Sequence, residues 1–382
     1  MIEKVSPAGS GLTEMNIAII GSRGYPYVYS GYETFVSELA PRLVANGHSV
    51  TVYCHKALFT DRPSSVNGIQ LRYVPAIEHK ILSQFTHSLL STLHVLFTNV
   101  DVILYVNSAN GPFGLLTKLF GKRTAINVDG LEWLRPKWKG LGAKYFRMAS
   151  YLATKLFDVV ISDSKRMAEI YKKEFNSPSV TIAYGANIGR SANPKLIEQF
   201  GLKPGEYYLI VGRLIPDNNA DLIVRAFERC STTKRLVILG DVPYRDSYAE
   251  SIRTTKDARI VFPGYVRDND VLRELYCNCF VYIHGHEFGG TNPALLKALA
   301  YGCCVFALDT VFNREVLADE THGVFFRKEE TSFLRGLGYI ENNQSVVEEK
   351  RKAARDRIHQ CYTWELITNQ YESLFVKLRQ SR

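Results

Sequence analysis

The feature that most constrains this chain is an alternation that runs out near residue 190 and then starts again. Short apolar segments are followed by a turn and an amphipathic helix, first at Asn16–Ile20, Ser49–Cys54, Ile69–Val74, Asp101–Val106, Arg123–Val128, Val159–Ser162 and Val180–Tyr184. After residue 200 the same pattern resumes at Tyr207–Val211, Leu236–Leu239, Ile260–Phe262, Phe280–His284 and Val305–Leu308. Several of these segments are apolar throughout, as parallel strands are when helices cover both faces of their sheet. The polar, Pro- and Gly-bearing stretch Asn187–Gly205 separates the two series. The predicted fold class is therefore α/β, with two Rossmann-like doubly wound domains facing a central cleft. The 382 residues suit two domains, since single cores rarely grow past ~250–300 residues. The expected layout is a flexible extension over 1–15, a first domain over 16–190, a second over 203–360 and a final helix over 361–382. Ligands of such sheets sit beyond the carboxyl ends of the strands.

Composition removes some classes. Hydrophobic residues make up 46% and charged residues 22%, which excludes disorder as the dominant state. The net charge of +9 is compatible with phosphate-bearing ligands, an anionic membrane surface or nucleic acid, and chooses none of them. Seven scattered cysteines without paired CxxC units read as free thiols in a reducing cytosol. Residues 1–15 carry no apolar run of a secretion signal, and Leu82–Val100 is broken by Ser, Gln, His and Thr. That stretch reads as a packed helix, so membrane contact is expected to be peripheral.

Chemistry is expected where glycines and charges collect at strand ends. The first strand runs into Gly21-Ser22-Arg23-Gly24 and then Ser30-Gly31-Tyr32-Glu33, a loop whose glycines admit close backbone approach to a ligand. The spacing is not GxGxxG, so the dinucleotide fingerprint is absent. The segment His284-Gly285-His286-Glu287-Phe288-Gly289-Gly290-Thr291-Asn292-Pro293 follows a strand and opens a helix, with Asn292 as N-cap and Pro293 at the first helical position. Its amide groups are expected to face the cleft as an anion site. The two histidines have no second ligand cluster, so no metal is expected. Arg213, at the end of the strand from Tyr207, is placed to grip a diphosphate bidentately. Asp129, after the strand ending at Val128, reads either as a general base or as a helix cap. From Trp133 to Arg147, five basic residues interleave with four aromatics, among them Arg135, Lys137, Trp138 and Lys139. That composition suits an anionic membrane or a lipid-diphosphate acceptor, single-stranded nucleic acid, or a plain solvated face.

On these blocks, together with Asp129-Gly130-Leu131-Glu132-Trp133, Gly212-Arg213-Leu214 and Asp309-Thr310-Val311-Phe312-Asn313-Arg314-Glu315, the chain resembles GT-B glycosyltransferases of family 4. Within that family it is similar to the subgroup of bacterial rhamnosyltransferases. The resemblance spans nearly the whole chain from Met15. It implies a nucleotide diphosphate-sugar donor, dTDP- or UDP-linked, held by the second domain, and an acceptor held by the first. It implies transfer of a sugar, rhamnose favoured, to a hydroxyl of a lipid-linked saccharide in cell-surface polysaccharide assembly, without a metal or other cofactor. The expected setting is the cytoplasm, peripherally on the inner face of the membrane, with no nucleic-acid partner.

The donor-binding set on this reading is Gly24, Gly31, Glu33, Arg213, Asn218, Glu287, Gly289, Gly290, Thr291, Asn292 and Lys297, with Asp129 and Arg213 as catalytic groups. Trp133, Arg135, Lys137, Trp138 and Lys139 would meet the acceptor or the membrane. Two positions depart from the family pattern. Relatives usually carry Lys where this chain has Asn218, and Glu where it has Lys297. An ammonium cannot accept from ribose hydroxyls. Lys297 can instead reach back along its helix to supply the cation missing at 218, with Glu287 offsetting the lost ribose contact. The alternative reading is a silent homologue acting as a binding or scaffolding subunit.

Overall fold

The computed structural model describes residues 14–26, 31–79, 82–128, 130–135, 138, 140–240, 242 and 246–381. The first half of the chain runs β1 (Asn16–Ile20), α1 (Gly31–Ala45), β2 (Ser49–His55), β3 (Ser65–Val66), β4 (Ile69–Val74), α2 (Leu82–Leu96), β5 (Val102–Val106), α3 (Gly114–Leu119), β6 (Thr124–Val128), α4 (Leu141–Leu156), β7 (Val159–Ser162), α5 (Lys165–Phe175) and β8 (Val180–Thr181). Among the described residues these strands form one sheet in the order β3-β4-β2-β1-β5-β6-β7-β8. All neighbours are parallel except β3, which folds back antiparallel on β4. The central strands β5 and β6 are buried at every position, which is why their sequences lack alternation.

The second half runs β9 (Tyr207–Val211), α6 (Ala220–Glu228), β10 (Arg235–Leu239), α7 (Ser247–Arg253), β11 (Ile260–Gly264), α8 (Asn269–Asn278), β12 (Val281–His284), α9 (Pro293–Ala300), β13 (Val305–Leu308), α10 (Val311–Leu317), β14 (Gly323–Phe326), α11 (Glu330–Asn342), α12 (Gln344–Cys361) and α13 (Trp364–Gln380). Its strands form a parallel six-stranded sheet in the order β11-β10-β9-β12-β13-β14. Both sheets are open and parallel with a reversal of strand order, and that is the two-unit architecture expected from the alternation. The cysteines are all unpaired.

The last helix turns back. Phe35 of α1 sits among Tyr371, Tyr184 and Trp364, with ring centroids at 5.3, 5.4 and 6.3 Å. Tyr371 of α13 accepts a 2.7 Å hydrogen bond from Asn127 Nδ2 of β6, and Glu372 lies 3.0 Å from His48 Nε2. The chain thus passes from the first sheet to the second and returns, so α13 ties its own C-terminus to the first core. Tyr371→Phe leaves the buried Asn127 amide without this acceptor. It is expected to cost about 1 kcal/mol, read as a lowered urea midpoint at unchanged slope.

Candidate functional site

The cleft forms where the carboxyl ends of β1, β9 and β12 and the N-termini of α1 and α9 meet. Gly21 and Gly24, past β1, hold φ of +107° and +127°. A Cβ on Gly24 would lie 2.9 Å from Cys54 and Phe59, so this glycine packs closely under the loop. Glu33 is also turned inward. It is 3% exposed, and its Oε1 accepts from the Arg23 amide at 2.8 Å. Through this bond it holds the glycine loop in shape. Gly31 opens α1 directly across from α9, where an added Cβ would lie 3.7 Å from Pro293.

On the opposite wall, Arg213 follows β9. Its carbonyl accepts from Asn218 Nδ2 at 2.7 Å, and Asn218 Oδ1 lies 2.7 Å from His286 Nδ1. Because the Asn218 amide nitrogen is already donating, the His286 Nδ1 carries the proton in this pair. Burial, then the nearby Arg135, His284 and Arg213, hold His286 well below its usual range. The ring is therefore neutral beside two guanidinium groups. Burial likewise lowers His284 to about 3. No group of three or more potential metal ligands occurs among the described residues.

The Arg213 guanidinium makes no hydrogen bond or ion pair among the described residues. Lys297, on α9, is in the same condition. Burial lowers its pKa below the usual lysine range, while Glu38 of α1 acts in the opposite direction. Arg213 and Lys297 thus make no direct hydrogen bond or ion pair among the described residues, though Glu38 favours the Lys297 ammonium electrostatically.

The turn before α9 departs from expectation. The Thr291 amide donates to Asp163 Oδ2 at 2.9 Å, its hydroxyl donates to the Asp163 carbonyl at 3.2 Å, and it accepts from the Tyr184 amide at 3.1 Å. Asp163 follows β7 in the first domain and is fully buried. An added Cβ on Gly290 would lie 1.9 Å from its Oδ1. The anion seated at this turn is therefore a side chain of the protein itself, and Gly290 and Thr291 are interdomain contacts rather than free donors. Asn292 caps α9 as expected, accepting from the Ala294 amide at 2.9 Å, and Gly289 holds φ of +118°. Glu287 Oε2 is paired with Lys328 Nζ at 2.5 Å and lies 3.4 Å from Asn219 Nδ2.

In the basic–aromatic segment several described side chains have partners within the protein. Trp133 packs edge-on against Phe175 and Tyr171 at 5.7 and 6.0 Å. Trp138 lies over Phe146 at 4.7 Å and donates to Glu132 at 2.7 Å. Arg135 is 2.6 Å from Glu132 and reaches Asp217 of the second domain at 3.5 Å. Each of these indoles and the guanidinium finds a partner within the protein that composition does not reveal. Asp129, Lys137 and Lys139 lie outside the described residues. Sequence reasoning missed Asp163, and singled out Glu315 only as the last residue of a resembling block. Glu315 accepts from the Lys165 and Arg166 amides at 2.7 and 2.9 Å and so caps α5 from the other domain.

Comparison with known proteins agrees with this architecture. Residues 29–188 match the sequence profile described as Glycosyltransferase Family 4, and residues 205–340 match that of Glycosyl transferases group 1. A Campylobacter jejuni N-acetylgalactosamine-N,N'-diacetylbacillosaminyl-diphospho-undecaprenol 4-alpha-N-acetylgalactosaminyltransferase is 25% identical over 253 residues, covering 64% of this chain and 67% of the relative. Sucrose-phosphate synthase from Thermosynechococcus elongatus superposes with a TM-score of 0.80 at 18% identity, covering 97% of this chain and 100% of that one. Anabaena HepE in complex with UDP-glucose superposes with a TM-score of 0.76 at 14% identity, covering 95% and 100%. With both halves matched in order and both sheets in place, the chain belongs to the GT-B glycosyltransferases, its first domain of family 4 type and its second of group 1 type.

Proposed function

We propose that the protein transfers a sugar from a nucleoside-diphosphate sugar to a hydroxyl of a lipid-linked saccharide in cell-surface polysaccharide assembly. The observation that carries this reading is that Arg213 and Lys297, in a chain whose two halves match glycosyltransferase families, make no direct hydrogen bond or ion pair among the described residues. Transfer breaks the bond from the anomeric carbon to the phosphate oxygen and forms one to the acceptor oxygen, so negative charge grows on the leaving diphosphate. Two cations fixed in a part-buried cleft stabilise that charge strongly, and no metal ion is needed for it. Asp129 stays the residue assigned to take the acceptor proton if the anomeric centre inverts.

The donor is assigned as dTDP- or UDP-linked, with rhamnose favoured by the resemblance in sequence. The lipid-linked acceptor is supported by the Campylobacter jejuni relative, which by its name acts on a diphospho-undecaprenol-linked saccharide. The nucleotide donor is supported by the HepE structure with UDP-glucose. Membership of a transferase family does not favour the silent-subunit reading. Calorimetric titration with dTDP and UDP, followed by turnover with dTDP-rhamnose and a lipid-diphosphate saccharide, tests the proposal. Folded protein that binds neither nucleotide would refute it.

Lys297 gives the reaction a pH signature. Burial disfavours its ammonium, and a bound diphosphate favours it, so binding takes up a proton once the pH passes the folded pKa. Nucleotide affinity is expected to fall by up to about tenfold per pH unit above that point. Lys297→Met is expected to abolish this dependence. Titrations in buffers of different ionisation enthalpy measure the proton uptake directly, and equal uptake by both proteins excludes Lys297 from the donor site.

A further inference from the structure

Arg135 sits where the two domains meet. Its Nη1 is 2.6 Å from Glu132 Oε1 on its own loop, and its Nε is 3.5 Å from Asp217 Oδ2 of the second domain. Its Nη2 donates to the Phe288 carbonyl, also of the second domain, at 3.5 Å. The side chains of Arg135, Glu132 and Asp217 are only 12%, 11% and 3% exposed. Charges buried in this way add little cohesion. Desolvating a guanidinium and two carboxylates offsets most of their attraction, and apolar residues of similar volume often hold an interface as well. What a planar guanidinium does supply is direction, because its donors meet their partners at set angles.

Each end of this contact is anchored. In the first domain, Glu132 Oε2 accepts from Trp138 Nε1 at 2.7 Å, and the Trp138 ring lies 4.7 Å from that of Phe146 on α4. The guanidinium also rests against Gly130, where an added Cβ would lie 3.4 Å from Nη2. Gly130 follows Asp129, the residue assigned above to the acceptor proton. In the second domain, Asp217 belongs to the turn Pro216–Asn218 that comes after Arg213, and its carbonyl accepts from the Glu287 amide at 3.0 Å. Its neighbour Asn218 donates to the Arg213 carbonyl at 2.7 Å and lies 2.7 Å from His286. A chain of contacts therefore runs from α4 through Trp138, Glu132, Arg135 and Asp217 to the turn that orients Arg213.

We propose that Arg135 is a positioning residue for transfer, which sets the first-domain loop after β6 in register with the Arg213 turn and takes no direct part in holding the donor. Its charge is already met by Glu132 and Asp217, which leaves the diphosphate to Arg213 and Lys297. The role rests on the sugar-transfer reading above. The mechanical coupling it requires does not, and is measured without donor or acceptor.

Hydrogen exchange of the full chain, free of ligand, tests the coupling. Arg135→Lys keeps a cation beside the buried carboxylates, but an ammonium is a point charge and does not span three acceptors in fixed directions. Exchange is expected to quicken by about tenfold in both segments, while the amides of β5 stay unchanged. The reporters are the Leu134 and Trp138 amides in the first domain and the Asn218, Asn219 and Glu287 amides in the second, each bonded to a nearby carbonyl. Acceleration confined to the first domain marks a local role and overturns the proposal, as does no change in either. The second arm separates turnover from binding. Misplacing reacting groups by about 1 Å costs about a hundredfold in rate. Arg135→Lys is expected to lower kcat by about tenfold and Arg135→Met by about a hundredfold, with the dissociation constant for dTDP or UDP changed by less than about twofold. Asp217→Asn is expected to lower kcat as well, and to add little to Arg135→Met. If Arg135→Met does not fold, the lysine variant decides both arms. A matching loss of nucleotide affinity would make Arg135 a donor contact and overturn the positioning role. Coupled exchange in a wild type that turns over no donor would sink the sugar-transfer reading. Coupled exchange in an active enzyme whose kcat is indifferent to Arg135 would sink this one alone.

Discussion

Arg213→Ala is expected to weaken nucleoside-diphosphate binding by about 1.5–3 kcal/mol, a loss of roughly 10- to 150-fold, at unchanged folding stability. The expectation of unchanged stability is what separates it from an ordinary core mutation. Arg213 makes no side-chain hydrogen bond or ion pair among the described residues, so its removal breaks no such contact, and its charge is one of those that disfavour protonation of His286. Stabilisation of the leaving group should appear in turnover as well as in binding. If Arg213 grips the diphosphate more tightly as charge develops, kcat falls along with affinity. A variant with normal calorimetric binding and normal kcat would remove Arg213 from the site. Arg213→Lys is expected to recover only part of the loss, because an ammonium cannot reproduce a bidentate guanidinium contact.

What could be read in the sequence follows from the physics of each signal. Fully buried parallel strands announce themselves as apolar runs, and β1, β4, β7, β9 and β13 fall at the predicted bounds. The missed strands are β3, two residues long, and β14, a four-residue edge strand that opens with glycine. Neither has enough length or alternation to stand out. Val180–Tyr184 was expected as one strand, but only Val180–Thr181 pairs in the sheet. The chain leaves the sheet there because the Tyr184 amide is needed by Thr291 in the other domain.

The site divides in the same way. The place of Arg213 just after a strand and the Asn292 cap were legible because a strand end and a helix start are local. Arg135 was read as a surface cation because its second partner, Asp217, lies in the other domain, and composition carries no information on which way a side chain turns. Glu33 was read as a ligand contact for the same reason. Its partner is ten residues back, across a loop whose path the sequence does not set. Asp163 gave no sign at all. In Ser162-Asp163-Ser164 it looks like ordinary polar residues entering a helix, and Ser164 does cap α5. Only the fold brings it to Thr291, 128 residues away.

That contact leads to the last expected result, a strong coupling between Asp163 and Gly290. Asp163→Ala removes the acceptor of the Thr291 amide where Asp163 is fully buried and Thr291 is 3% exposed. An unsatisfied amide and a lost charge-assisted bond in such a place cost about 3 kcal/mol. Gly290→Ala alone is also expected to destabilise, by about 1–3 kcal/mol, because its Cβ would meet the carboxylate at 1.9 Å. Gly290 has no positive φ, so alanine brings no backbone strain, and the clash is the whole cost. In the Asp163→Ala background the carboxylate is gone and the new methyl enters space left empty. The double variant should therefore be more stable than the sum of the singles predicts, with a coupling of about 1–3 kcal/mol. Unfolding midpoints of the four proteins measure it. Additive losses would show that Asp163 and the turn before α9 do not share the space the structure gives them. Coupling would show that the turn is shaped by a carboxylate of the first domain, which leaves Arg213 and Lys297 as the charges available to an incoming diphosphate.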